Sequence, residues 1–331
     1  MEIEVRKHQL TRRRFLMLMG GLACVPWFPG CTLEEPQPVS IAAHVWPGYE
    51  PMFMARSEGW LDAKQVTLFE THSATESLQA LAAGRVEGAA LTLDEVLRAR
   101  AKGIPLTVVM VFDVSAGADM LVARHGIKRL ADLKGKRIGY EQGAVGSLML
   151  SEALLAASLS KEDVKLVSLP IDKQYAAWQQ GQIDAAITYE PVASQLMAQD
   201  AVKLFDSSQI PDVIVDVLAV RSDVLDYSHA SALRHLVSTH LKALEHLNHN
   251  PQDSAYRMAT RMGLPADQVM AAFRGLVLPD AVGNRRMLNY SSPPLLDSAR
   301  KLSALMVKEG LLQHEDTLAG LLRADYLPVA E

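Results

Sequence analysis

The sequence predicts an α/β fold of two similar lobes, followed by a helical C-terminal region. Three observations lead there. From Val39 onward, short β-rich runs alternate with helical ones over short links, the pattern of parallel strands covered by helices. The alternation restarts near Met120, so the middle of the chain repeats the architecture of its start. One phrase marks the repetition. GRVEGAALTLDEV at residues 84–96 returns as GQIDAAITYEPV at residues 181–192, 97 positions later (181 minus 84). Each copy places a Thr and an acid where a strand ends and a helix begins, and in open α/β sheets ligands bind at the carboxyl ends of strands. The totals agree. The 331 residues exceed one simple core, 49% are hydrophobic and 21% charged, and the net charge of -5 with no basic run outside the N-terminus argues against nucleic acid.

Taken in order, VSIAAHVW reads as a strand, residues 50–59 as a helix closed by Gly59, and VTLFE as a strand. Ser73 and Glu76 match a capping box that opens a helix to about Ala83, and Thr92 with Glu95 a second that opens a helix to about Lys102. VEGAAL and LTVVMVF are strands. After the restart, MLVA, RIGY, VKLVSL, IDAAIT, VKLF and VIVDVLAV read as strands. Helices fall at RLADLKG, at residues 146–159, at about 173–180 and from Pro191, a good first helical residue. From His229 the chain is nearly all helical.

The N-terminal 31 residues read as a signal peptide. Arg12, Arg13 and Arg14 precede a short apolar run from Phe15 to Phe28 that has no polar face. Residues 11–16 match a twin-arginine export signal. The cysteines are Cys24 and Cys31. The box before Cys31 has the small Gly30 expected at a lipoprotein cleavage site, with Phe28 and Pro29 departing from the usual pattern. The expectation is a lipid-anchored periplasmic protein, acylated at Cys31, with residues 32–38 as an acidic, Pro-containing tether and no thiol left in the body. Thr32 after the cysteine favours the outer membrane.

Four blocks then carry a resemblance: WPGYEPMFMARSEGWLD, LQALAAGRVEGAALT, LADLKGKRIGYEQGAVGS and GQIDAAITYEPV. Together, over roughly Val39 to Leu225, the chain resembles the solute-binding proteins of ABC importers in the nitrate, sulfonate, taurine and thiamine-pyrimidine group. The resemblance implies a type II periplasmic-binding fold. One lobe would span 39–112 plus 217–331 and the other 117–206, with hinge crossovers at 113–116 and 207–216, closing on a small molecule and handing it to a permease.

The resemblance places Trp46 and Tyr49 in the cleft, where an aromatic stacks on a flat ligand or a cation; as core or lid residues they would serve equally well. Ser73 and Thr75 offer backbone amides or simply cap a helix. Thr92, Asp94, Tyr189 and Glu190 end the two echo phrases. Capping accounts for Thr92 and partly for Asp94, and for less of Glu190, which Pro191 holds extended. Glu141 and Ser147 flank a glycine-rich loop, and Ser115 lies on a crossover. The predicted mouth thus gathers Asp94, Asp113, Asp119, Glu141 and Glu190 against one nearby cation, Arg124. Unpaired carboxylates beside an anion cost several kcal/mol of discrimination. The expected ligand is therefore an amine or aminopyrimidine-like heterocycle, with nitrate or sulfonate as the alternative.

No cofactor or metal is expected. His44 and His72 have no carboxylate arrangement of a metal triad, and His229, His235, His240, His246, His249 and His314 read as a solvated helical face. With no nucleophile elbow, P-loop or dinucleotide fingerprint, the chain reads as a monomeric binder and not an enzyme. A sensor subunit reporting to a membrane kinase or cyclase stays open, with GNRRM near Asn284 as its docking surface or as a solvated loop.

Overall fold

A computed structural model describes residues 36–289 and 291–328. The signal peptide, Cys24 and Cys31 lie outside the described residues, as does the tether up to residue 35. Where the description begins, the Gln37 backbone N–H donates to the Ser228 carbonyl at 2.9 Å.

In chain order the structure runs β1 (Val39–Ala43), a 3-10 turn at Pro47–Tyr49, α1 (Glu50–Ser57), β2 (Val66–Glu70), α2 (Ala74–Ala82), β3 (Gly88–Thr92), α3 (Leu93–Ala101) and β4 (Leu106–Ser115). It continues with β5 (Met120–Arg124), β6 (Arg137–Tyr140), α4 (Val145–Ala156), β7 (Lys165–Ser168), α5 (Ile171–Gln179), β8 (Ala185–Thr188), α6 (Val192–Met197), β9 (Ala201–Asp206) and β10 (Val215–Arg221). The C-terminal region comprises α7 (Ala230–His249), α8 (Pro251–Met262), α9 (Ala266–Ala272), β11 (Leu276–Val277), α10 (Ala281–Leu288) and α11 (Pro294–Lys308).

Among the described residues the strands form two sheets, one per lobe, in the orders β11-β4-β10-β3-β1-β2 and β7-β6-β8-β5-β9. Each has three parallel strands, β2-β1-β3 and β7-β6-β8, flanked by a strand that runs the other way. The echo phrases are the matching strands β3 and β8, each third in its parallel trio. The expectation of purely parallel sheets is corrected: β10 is antiparallel to β3 and β4, and β5 to β8 and β9. These strands arrive from the other lobe, so they enter their sheets from the opposite end.

The crossovers are tied together by small residues. Ser115 and Ser207 share a hydroxyl hydrogen bond at 2.8 Å, and Ser207 Oγ also accepts from Gly117 N–H at 2.6 Å. Gly275 approaches so closely that a Cβ there would sit 2.8 Å from the Gly117 carbonyl carbon, and its φ of +82° independently calls for glycine.

Helix α7 buries Leu233, Leu236, Val237, His240, Leu244 and Leu247 at helical spacing and packs on α1. Each such Leu or Val contributes about 1.5–3 kcal/mol by leaving water. His240 corrects the reading of the tail histidines as solvated: it packs edge-on against Phe112 at 4.9 Å, and burial lowers its pKa to about 3. GNRRM is likewise no loop. It lies in α10, and the buried Asn284 side chain bonds the Val111 N–H (2.7 Å) and carbonyl (3.1 Å). The described residues include no helix long and apolar enough to cross a membrane.

Candidate functional site

Strand direction decides what meets at the cleft. The carboxyl ends of β1, β3 and β8 converge there, with the starts of α2, α3 and α4. His44 and Trp46 follow β1, Tyr49 closes the next turn, and Tyr189 follows β8 from the other lobe. The four rings form a box. Tyr189 meets Trp46 edge-on at 5.3 Å and lies 5.7 Å from His44, which meets Tyr49 edge-on at 5.4 Å. The space between the rings is narrow, about 10 Å³, and is also lined by Ala74, Thr92, Glu95, Asp119, Val145 and Asp216.

The floor of this cavity is acidic. Asp113 and Asp216 are register partners on β4 and β10, and Asp119 follows the first crossover. All three are at least 97% buried. Trp46 Nε1 donates to Asp113 Oδ2 at 2.9 Å, and the Tyr49 hydroxyl donates to Asp216 Oδ1. Asp119 Oδ2 has no partner among the described residues, while the facing Asp113 and Asp216 carboxyls hydrogen-bond each other. Gly48 makes room for this arrangement, since a Cβ there would fall 1.7 Å from Asp113 Oδ2. Among the described residues, no Lys or Arg lines the cavity. Burial therefore raises the carboxyl pKa values. Asp119 reaches about 7, Asp113 reaches about 8 with Asp119 adding to the rise, and Asp216 rises well above its usual range with Asp113 and Asp119 beside it. Glu95 rises to about 8 through burial and the neighbouring Asp94. Burial, reinforced by Arg261, lowers His44 to about 3 and keeps the ring neutral.

Of the residues singled out in the sequence, Trp46, Tyr49, Thr92, Asp119 and Tyr189 line the cavity. The others do not, and their own partners explain why. Asp94 accepts from Thr92 Oγ1 (2.7 Å) and pairs with Arg98 at 2.6 Å. Ser115 belongs to the hinge bonds, and Ser147 Oγ accepts from Gly143 N–H at 3.1 Å. Glu190 accepts from Ser194 N–H (3.0 Å) and Oγ (2.9 Å), capping α6. Arg124 is not at the mouth. Because β5 is antiparallel to β8, its last residue lies at the far end, with its guanidinium stacked 4.4 Å over Trp178. Asp216, Glu95 and His44 were missed as site residues. The signal for Asp216 was one acid inside the apolar run VIVDVLAV.

One pattern unites the helix starts. A helix N-terminus facing a cleft offers free N–H groups to an anion. Here α2 through α6 all begin at the carboxyl ends of parallel strands, and on α2, α4, α5 and α6 side chains of this chain take at least one first-turn N–H. Glu141 takes Thr75 N–H on α2 (2.8 Å) and Ile171 N–H on α5 (3.3 Å). Glu95 takes Thr92 N–H (2.9 Å) before α3 and Val145 N–H (3.1 Å) on α4. Ser73 caps α2 through Glu76 N–H at 3.3 Å, and Glu190 caps α6.

Several of these bonds cross between lobes: Glu141 to Thr75, Glu95 to Val145, and Arg98 Nη2 to the Ala144 carbonyl at 3.0 Å. Glu141→Ala removes one latch outright. The ligand-free variant is expected to show a larger radius of gyration by small-angle scattering and a loss of about 3 kcal/mol on denaturation. An unchanged scattering profile would assign closure to the remaining contacts. Glu190→Gln, by contrast, is expected to lose about 1 kcal/mol of stability as a helix cap and to keep ligand affinity within twofold; a tenfold loss by calorimetry would return Glu190 to the site.

With this geometry in place, comparison with known proteins is informative. The family described as NMT1/THI5 like matches residues 46–254, more than half of the chain. The chain belongs to the NMT1/THI5-like family. Among curated relatives in this family's neighbourhood, the putative aliphatic sulfonates-binding protein of Escherichia coli K12 is 25% identical over 261 residues, covering 76% of this chain and 79% of that protein. The taurine-binding periplasmic protein of the same organism is 26% identical over 212 residues, 61% of this chain and 66% of that protein. Among solved structures, the alkanesulfonate-binding protein SsuA from Xanthomonas axonopodis pv. citri, bound to MOPS, superposes with a TM-score of 0.72 at 20% identity. The match covers 88% of this chain and 99% of that one. The fold is thus the type II periplasmic-binding fold, and the cation expected at the mouth, Arg124, is absent from the cavity lining.

Proposed function

We propose that this chain is an exported periplasmic solute-binding protein that closes on a small, donor-rich or positively charged solute and delivers it to an ABC importer. An amine or aminopyrimidine-like heterocycle fits this description. The observation that carries the reading is the cavity's polarity. Four of the helix N-termini already bind the chain's own side chains, while the buried acids Asp113, Asp119 and Asp216 leave Asp119 Oδ2 without a partner. Family membership and the binding-protein relatives support the transport role. The relatives named for sulfonates and taurine share the fold and role; the acidic cavity argues against a shared ligand. The aromatic box suits a cation or a flat ring. Among the described residues no group of three or more His, Cys, Asp and Glu is arranged to hold a metal ion.

The test is a thermal-shift screen of the purified protein with amines, pyrimidines, alkanesulfonates, taurine and nitrate, checked for product formation. A ligand at a hundred times its dissociation constant stabilises by about 2.7 kcal/mol. Stabilisation by amines or aminopyrimidines without turnover supports the reading; stabilisation by sulfonate or nitrate alone overturns it.

A further inference from the structure

We propose that the groove between α2, α3 and the loop before α4 is a second binding site, for a small aliphatic carboxylate. This holds whatever the cleft binds, because the groove shares no lining residue with the cavity between the rings. Its volume is about 230 Å³, and its charge is the reverse of the cleft's. Arg98 and Lys102, one helical turn apart at the end of α3, line it, and among the described residues no Asp or Glu does.

Arg98 is largely committed. Its Nη2 donates to Asp94 at 2.6 Å and, across the lobes, to the Ala144 carbonyl at 3.0 Å, and Asp94 balances its charge. Lys102 is exposed, and its ammonium has no ion pair or hydrogen bond among the described residues. One positive charge is therefore uncompensated, which suits a monoanion. The carbonyls that end α3 do not oppose it unpaired: those of Arg98, Ala99 and Arg100 accept from the N–H groups of Lys102, Gly103 and Ile104.

The rest of the lining sets the ligand's other end. Leu78, Ala82, Ala99 and Ile104 supply apolar surface for a short alkyl chain, and the side-chain amides of Gln79 and Gln142 are donors for the head. Gln142 and Gly143 come from the other lobe, so an occupant bridges the lobes beside the Arg98–Ala144 bond. The adjoining pocket that shares Arg98, Lys102 and Gly143 also contains Glu315 and Asp316 and suits an anion less.

Calorimetry on the intact protein with hexanoate tests the site, with hexan-1-ol and inorganic phosphate as comparators. Hexanoate is expected to bind the tightest of these probes. Lys102→Ala should weaken it about tenfold by removing a charged hydrogen-bond donor, and Lys102→Arg should retain it. Parental hexanoate affinity in Lys102→Ala, or no binding to the parent at millimolar concentration, overturns the site. Hexan-1-ol binding as tightly overturns the charge argument, and phosphate binding more tightly overturns the aliphatic class. Amide exchange at Val145, whose N–H bonds Glu95 across the lobes at 3.1 Å, reads the bridging. Hexanoate should slow that exchange in the parent and not in Lys102→Ala; unchanged exchange in the parent overturns the bridge.

Discussion

Asp216→Asn is expected to weaken binding of a cationic ligand by about thirty-fold to four-thousand-fold at pH 8. Removing one partner of a buried, hydrogen-bonded charge pair costs about 2–5 kcal/mol, and about 1.4 kcal/mol is a factor of ten. The substitution is close to isosteric, and Asn can still accept the Tyr49 hydroxyl, so the aromatic box keeps its support. The ligand-free variant should also melt higher than the parent at pH 8. Asp216 sits directly opposite Asp113 in the β4–β10 register with Asp119 nearby, and both of them add to the burial that raises its pKa. Losing one charge relieves that repulsion. Calorimetry and thermal melts on the same preparation read both effects. Parental affinity in the variant would place charge recognition elsewhere.

Stability and affinity should respond to pH in opposite senses. Asp119, Asp113 and Glu95 have folded pKa values of about 7 to 8, above their unfolded values near 4, and Glu50 is raised to about 7 by burial despite its pairing with Arg261. A carboxyl of this kind favours the folded state fully below its unfolded pKa. That contribution is lost as pH rises through the folded value. His44 and His240 act the other way. Their folded values of about 3 lie below an unfolded 6.5, so they cost stability only as pH falls below 6.5. Between pH 6.5 and 8 the carboxyls therefore dominate, and the ligand-free protein should lose about 2 kcal/mol for each retained proton. A cation binds the ionised form, so its affinity should rise over the same interval, about tenfold per pH unit for each proton released. Melting curves and titrations at pH 6.5, 7.2 and 8.0 decide this; a ligand-free protein that gains stability toward pH 8 would show that the acids are already ionised and compensated.

Much of the architecture was legible because it rests on local chemistry. The alternation of runs, the Thr92–Glu95 box and the echo of GAALT in DAAIT located β3 and β8 as equivalent strands. The acidic character of the cleft was also readable, although the residues carrying it shifted. Asp94 and Glu190 are engaged by Arg98 and Ser194, each four residues on, and Glu141 by Thr75, which only the folded chain brings near. Strand direction was the hidden variable for Arg124, which local pattern placed at a strand end without saying which end faces the cleft. Asp216 escaped for a related reason. An acid within an apolar run reads as an exception until β10 is seen to pass beside β4 and bring it against Asp113. Trp46 and Tyr49 were singled out because the family places their turn in its cleft, and Tyr189 because it ends the second echo phrase.

The three acids share a location with kinetic meaning. Asp113 closes β4, Asp119 follows the same crossover, and Asp216 opens β10, so all of them ride on the segments about which the lobes turn. Points on a pivot travel least. If the lobes close on a cation as proposed, the acidic floor stays assembled through the swing while Tyr189 arrives with the moving lobe. Capture divides into two events: a fast, salt-sensitive encounter at a permanent anionic seat, and a slower first-order step as the ring folds over. Rapid-mixing traces should accordingly show one phase proportional to solute concentration and a second that reaches a plateau.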